Sequence, residues 1–193
     1  KSAGIKVKFG VLQNEGFLLL EPFLRCLNGN FSFFKLGMSL NGVIKGGVIT
    51  NSASRLLVHK LRNVSEILAI GGNTVRVDRP ILDTRLLGEN FKNPDIFIYS
   101  KKNEFDKTIP LFSVRNRKVI ISNDIEKLKN YKLCMIEGGE QMARNLPPFV
   151  THILIFFSSK FINLDSISLN LELELLFLDK LDDNYYGWFK IKR

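Results

Sequence analysis

The sequence predicts an α/β domain with a largely parallel central sheet flanked by helices and closed by an antiparallel C-terminal strand pair. Three observations carry this. Short apolar runs alternate along the chain with stretches of helical period, the pattern of strands joined by crossover helices. Two of those runs, "EILAIGG" and "KLCMIEGG", end in paired glycines. The tail, "LELELLFLDKL" followed by "NYYGWFKIKR", reads as two adjacent antiparallel strands.

Taken in order, "NEGFLLLEPFLRCL" (Asn14–Leu27) predicts a helix with a buried apolar face, although Gly16 and Pro22 weaken it. "FSFFKLGMSL" (Phe31–Leu40) predicts a strand. "TNSASRLLVHKLRN" (Thr50–Asn63) predicts a helix that Asn51 or Ser52 can cap, with Ala53, Leu57 and Leu61 on one face. His59 projects away from that face and is expected at the surface. "EILAIGG" is a buried strand. The stretch after it, "IGGNTVRVDRPILDTR" (Ile70–Arg85), shows neither helical period nor strand alternation and is expected to be a long polar loop. "DIFIYS", "KVIIS" and "KLCMIEGG" are strands, "GEQMARNL" a helix and "THILIFF" a strand. Ligands of such sheets bind beyond the carboxyl ends of the strands. That edge would hold Gly71-Gly72, Ser100 and Gly138-Gly139.

Composition narrows the function classes. With 28 Lys+Arg against 19 Asp+Glu the chain carries +9, which suits phosphate-bearing ligands, nucleic acid or simply a basic solvated face. The aromatic residues sit in apolar runs rather than among basic ones, which argues against a nucleic-acid module. Two cysteines, Cys26 and Cys134, cannot form a disulfide framework, and two isolated histidines give no metal site. No signal peptide opens the chain, and "FVTHILIFF" is too short to span a bilayer. A reducing, cytoplasmic home is expected.

Four blocks are more specific. "AGIKVKFGVLQNEGFLLLEPFL", "KLGMSLNG", "GGNTVRVDRPILDTR" and "IEGGEQMARNL" follow one another through Leu146. In that order and spacing they resemble the reductase domain of the bacterial riboflavin-biosynthesis bifunctional deaminase/reductase. That family belongs to the dihydrofolate-reductase-like superfamily. The resemblance implies reduction of 5-amino-6-(5-phosphoribosylamino)uracil to the ribitylamino compound, with NADPH as hydride donor. It implies Lys35 as a catalytic residue in the substrate pocket. Arg62, Leu82, Arg85 and Glu137 would bind the substrate, the two arginines at its 5′-phosphate. Gly37, Thr74, Asp78, Ser100, Gly138 and Gly139 would bind NADPH. Lys101 and Lys102 would meet its 2′-phosphate, and Gly138-Gly139, at a helix start, its pyrophosphate. A homodimer is implied too. No nucleic acid, membrane or metal is expected.

The match breaks in places. Asn41 replaces the family's Asp in "SLDG". The segment "GGVIT" lacks the family's Ser-x-Trp, with Val48 where the Trp would stack. The deaminase zinc motif is absent. The first 30 residues therefore read as a linker-like segment following a deaminase domain, and residues 31–193 as the reductase. The alternative is a weakened pseudo-reductase that binds nucleotide or supports an attached deaminase.

Overall fold

A computed structural model of the chain describes residues 4–193. Strand β1 (Phe31–Met38) is central because both its faces are apolar: Phe31 and Phe33 point one way, Phe34 and Leu36 the other, and all four are buried. Such a strand needs a layer on each side. It pairs in parallel with β5 (Leu133–Glu137) and β6 (Val150–Phe157). Beyond β5 lie β2 (Ile67–Gly71), β3 (Asp95–Tyr99) and β4 (Val119–Ser122), also parallel. Beyond β6, β8 (Asn184–Lys192) runs antiparallel and pairs with the edge strand β7 (Glu172–Leu181). The order is β4-β3-β2-β5-β1-β6-β8-β7, the parallel sheet with an antiparallel end that the sequence predicts.

Helix α2 (Ser52–Val64) crosses from β1 to β2 and is capped by Asn51, whose side chain accepts from the Ser54 amide at 2.8 Å. Its Val58 joins Phe31, Phe33, Met135 and Phe156 on one face of the sheet. Helix α4 (Glu140–Arg144) follows β5 and sets Met142 and Ala143 on the other face, against Phe34 and Ile136.

Two expectations fail. The stretch after Gly71 is not a plain loop: Gly72–Asp78 forms a helix, α3, which buries Val75 and ends at Arg79 with φ 44°. Seven residues with one buried side chain are too few for a period to show. The N-terminal helix α1 (Gln13–Asn28) forms through Pro22 but buries none of its residues. Phe17, Phe23 and Leu27 are each more than half exposed. An apolar stripe predicts a face that favours burial, not that something covers it.

The chain from Pro80 to Thr84 is irregular, yet it is held firmly. Arg117 donates to the carbonyls of Ile81, Leu82 and Leu111 at 2.7, 2.6 and 2.6 Å. Burial pushes its pKa down to about 10, so it stays cationic at neutral pH. Leu82 sits in the left-handed region at φ 57°, a conformation that non-glycine residues adopt only when their surroundings impose it.

Candidate active site

Parallel register puts Lys35 of β1 opposite Glu137 of β5, both near the carboxyl ends of their strands. Residues paired in this way project from the same face, here the face that α2 covers. Arg62, in the last turn of α2, reaches the pair. Its Nε and Nη2 donate to Glu137 Oε1 at 3.0 and 2.9 Å, and Nη2 also to Oε2 at 3.2 Å. Lys35 Nζ stands 3.7 Å from Glu137 Oε2. Burial by itself would raise the Glu137 pKa, but the charges of Arg62 and Lys35 outweigh it and hold the carboxyl near 2.

This triad borders a cavity of about 250 Å³ whose lining includes Lys35, Gly37, Arg55, His59, Arg62 and Arg85. Four of those six are permanent or near-permanent cations. Arg85 lies on the one-turn 3-10 segment Arg85–Leu87, is half-exposed, and donates to Asp83 at 2.5 Å, which leaves further guanidinium donors free. Arg62 is more tightly committed, to Glu137 and to the Asp83 carbonyl at 3.2 Å. Of the two arginines, Arg85 is the one with donors to spare for an anion.

A second cavity, of about 630 Å³, opens beyond β2 and β5. Its lining includes Lys45, Gly46, Thr74, Asp78 and Gly139. The structure thus sorts the predicted residues into two groups. Lys35, Arg62 and Arg85 gather at the smaller cavity, with Glu137 held between Arg62 and Lys35. Thr74, Asp78 and Gly139 gather at the larger. Gly37 falls with the first group, although the resemblance assigns it to the cofactor.

Other expectations shift. Leu82 is 5% exposed, packs in the core with Leu68, Ile70 and Val75, and accepts a bond from Arg117 at its carbonyl. His59 is not at the surface: it is 5% exposed, covered by the segment Thr84–Leu86. A helical wheel places it off the core face but cannot foresee a distant segment folding over it. Two of the glycines singled out in the sequence lie close against protein side chains. A Cβ at Gly72 would lie 2.6 Å from the Ser100 side chain, and one at Gly138 2.8 Å from Met142 Cβ. At Gly139 nothing lies within 4 Å, and this glycine borders the open cavity. Ser100 Oγ is engaged with the Lys102 amide and with Arg76. The helix that starts at Gly138-Gly139 has only five residues and carries Glu140 in its first turn, so it offers little dipole to a pyrophosphate.

Sequence reasoning missed Arg55, Arg76 and Lys45. Arg55 lies one turn after the cap of α2, four residues before His59 and so on the same helical face. Arg76 sits 4.1 Å over the Phe105 ring and donates to Ser100 Oγ at 3.4 Å. Asn41 is also clarified. Its Nδ2 donates to the Ile162 carbonyl at 2.8 Å while its Oδ1 accepts from the Ile162 amide at 3.0 Å. Only an amide makes both bonds, which accounts for Asn in place of Asp.

No family model matches the chain. Its backbone superposes on the deaminase/5-amino-6-(5-phosphoribosylamino)uracil reductase of Thermotoga maritima with a TM-score of 0.72 at 22% identity, over 99% of this chain and 65% of that one. The Saccharomyces riboflavin biosynthesis reductase Rib7 gives 0.62 at 16% identity, over 94% and 99% of the two chains. The fold is that of the riboflavin-biosynthesis reductases. The dihydrofolate reductase of Enterococcus faecalis, solved with NADP(H), shares this riboflavin-reductase fold more distantly, with a TM-score of 0.57 at 12% identity over 84% of this chain and 97% of that one. In sequence, 96 residues are 38% identical to the riboflavin biosynthesis protein RibD of Synechocystis, covering 46% of this chain and 26% of that protein. The resemblance read from the four motifs therefore holds. Among the described residues, no group of His, Cys, Asp and Glu could hold a metal, and no helix is long and apolar enough to cross a membrane.

Proposed function

We propose that this chain reduces 5-amino-6-(5-phosphoribosylamino)uracil to its ribitylamino product with NADPH. The observation that carries this is the cation-lined cavity in which Lys35, Arg55 and Arg85 surround a space with Glu137 as the acid beside it, itself neutralised by Arg62. A cavity so charged suits a phosphorylated sugar. Arg85 grips the phosphate through the donors that Asp83 leaves free. Lys35 Nζ donates to a pyrimidine carbonyl and presents the ammonium nearest the reacting end. Glu137 keeps Lys35 and Arg62 in place.

The larger cavity fits a dinucleotide in size and in lining. Gly46 and Gly47 adopt φ 96° and 100°, a turn that glycine makes without strain, with open space at Gly47, and Lys45 supplies a cation for phosphate. Thr74, Asp78 and Gly139 would hold NADPH there, and NADPH supplies the hydride. Arg76, Lys101 and Lys102 are the cations near Ser100 for its 2′-phosphate. Residues 31–193 form the reductase unit, with the first 30 as a connecting segment. The apolar residues left exposed on α1 favour an oligomer, and a homodimer agrees with the resemblance.

The test is NADPH oxidation by the purified protein with the ribosylaminopyrimidine phosphate. Turnover supports the proposal, and its dephosphorylated analogue should be poorer through KM. A second reading has one observation behind it: Val48, where a stacking aromatic would sit, is 68% exposed on an open segment. NADPH binding without turnover would favour that pseudo-reductase.

A further inference from the structure

His59 has no role in the reaction as proposed, yet its surroundings give it one. It lies on α2 one turn before Arg62, buried, and lines the smaller cavity with Lys35, Arg62 and Arg85. Its Nδ1 accepts a hydrogen bond from the Leu86 amide at 3.3 Å. A neutral imidazole accepting at Nδ1 carries its proton on Nε2. Burial and then the charge of Arg62 lower the pKa of the ring, more than the Thr84 backbone and Asp83 raise it, and Arg85 lowers it slightly further. The ring is neutral at physiological pH and free to accept.

The segment it holds has little else to fix it. None of the three residues Arg85–Leu87 is buried, so no apolar anchor ties the turn to the core. Its ties are polar. The Thr84 amide and hydroxyl donate to Asn93 Oδ1 at 2.9 and 3.0 Å, Arg62 donates to the Asp83 carbonyl, and Leu86 donates to His59. The last of these is the first long-range tie C-terminal to Arg85; the next comes at Lys92, whose amide donates to Asn63 Oδ1 of α2 at 3.0 Å. Without the His59 tie the turn keeps its own local bonds, from the Leu87 and Gly88 amides to the Thr84 and Arg85 carbonyls, but no hydrogen bond to α2 between Arg85 and Lys92.

We infer that His59 is a positioning residue: through the Leu86 amide it fixes the turn that aims Arg85 into the cavity, and so sets the affinity for the phosphate of a sugar phosphate. This rests on the proposed phosphorylated substrate. Histidine at this place meets a narrow need. It supplies an acceptor on a ring rigid enough to span from helix to turn, and it adds no negative charge to compete for Arg85.

The experiment compares His59→Leu, which keeps bulk but loses the acceptor, with His59→Asn, whose amide oxygen can stand near the position of Nδ1. Binding of ribose 5-phosphate and of ribose is measured by calorimetry, and exchange of the Leu86 amide by NMR. His59→Leu should weaken ribose 5-phosphate about tenfold, the size of one lost hydrogen bond, and leave NADPH affinity unchanged. Leu86 exchange should accelerate in the same variant. His59→Asn should stay within about threefold of wild type and keep Leu86 protected. Unchanged Leu86 exchange in His59→Leu overturns the inference, as does faster exchange with unchanged phosphate affinity. If wild type binds ribose 5-phosphate no better than ribose, the phosphate reading fails and the role of His59 fails with it. In that case the exchange data still report whether the tie exists, so the two failures are told apart.

Discussion

Replacing Glu137 by Gln removes one negative charge and almost no volume. In the wild-type protein that charge faces Arg62 at 2.9 Å and Lys35 at 3.7 Å, with its side chain only 12% exposed. The folded carboxyl sits near 2 against an ordinary 4.5. A carboxyl depressed in this way stabilises the fold fully above its unfolded pKa, and the stabilisation is lost as pH falls through the folded one. The gap corresponds to about 3 kcal/mol at neutral pH. Breaking a buried ion pair from one side costs a similar amount, roughly 3–5 kcal/mol. Gln retains an oxygen for Arg62 but cannot neutralise either cation. Urea unfolding of wild type and Glu137→Gln should therefore differ by about 3 kcal/mol from pH 8 down to about 5. The difference should then shrink by more than half by about pH 3, where the wild-type carboxyl in the unfolded chain is protonated. A difference below about 1 kcal/mol, or one that does not change with pH, would refute the account of the triad.

Arg85→Ala should weaken the phosphorylated substrate between about tenfold and a few hundredfold while sparing NADPH, and Arg85→Lys should fall between, as comparative KM and Kd values will tell. Arg117→Met should destabilise by roughly 2–4 kcal/mol, because three carbonyls lose their donor at once, and should raise amide exchange across Pro80–Thr84. Asn41→Asp, the residue of the motif that this segment resembles, should lower stability by about 1 kcal/mol, since a carboxylate would face the Ile162 carbonyl; thermal unfolding decides. His152 is buried and, chiefly through burial, held down to about 4. The unfolded chain therefore takes up its proton first, and stability should fall as pH drops from about 6.5 toward 4, a slope that His152→Gln should flatten in the same urea titration.

Several features of this protein were legible in the chain alone, and all of them are local or additive. Alternating apolar runs and amphipathic stretches determine strands, the crossover α2 and the antiparallel tail, because side-chain period and burial pattern are properties of neighbouring residues. The ordered motifs assign the residues that end up at the carboxyl edge, since any parallel sheet brings its strand ends together. Tertiary structure alone decided the rest. Lys35 and Glu137 are 102 positions apart and become an ion pair only through the β1–β5 register. Arg117 ties down the Leu82 carbonyl beside a side chain packed in the core, a contact 35 residues long. His59 is buried by a turn 27 residues away, which no helical wheel contains. The seven residues of α3 are helical because Val75 finds the core, and Phe17, Phe23 and Leu27 of α1 stay exposed because no described element covers that face. Burial, charge pairing and coverage depend on which distant segments meet, and that is decided by strand order rather than by the period of any one stretch.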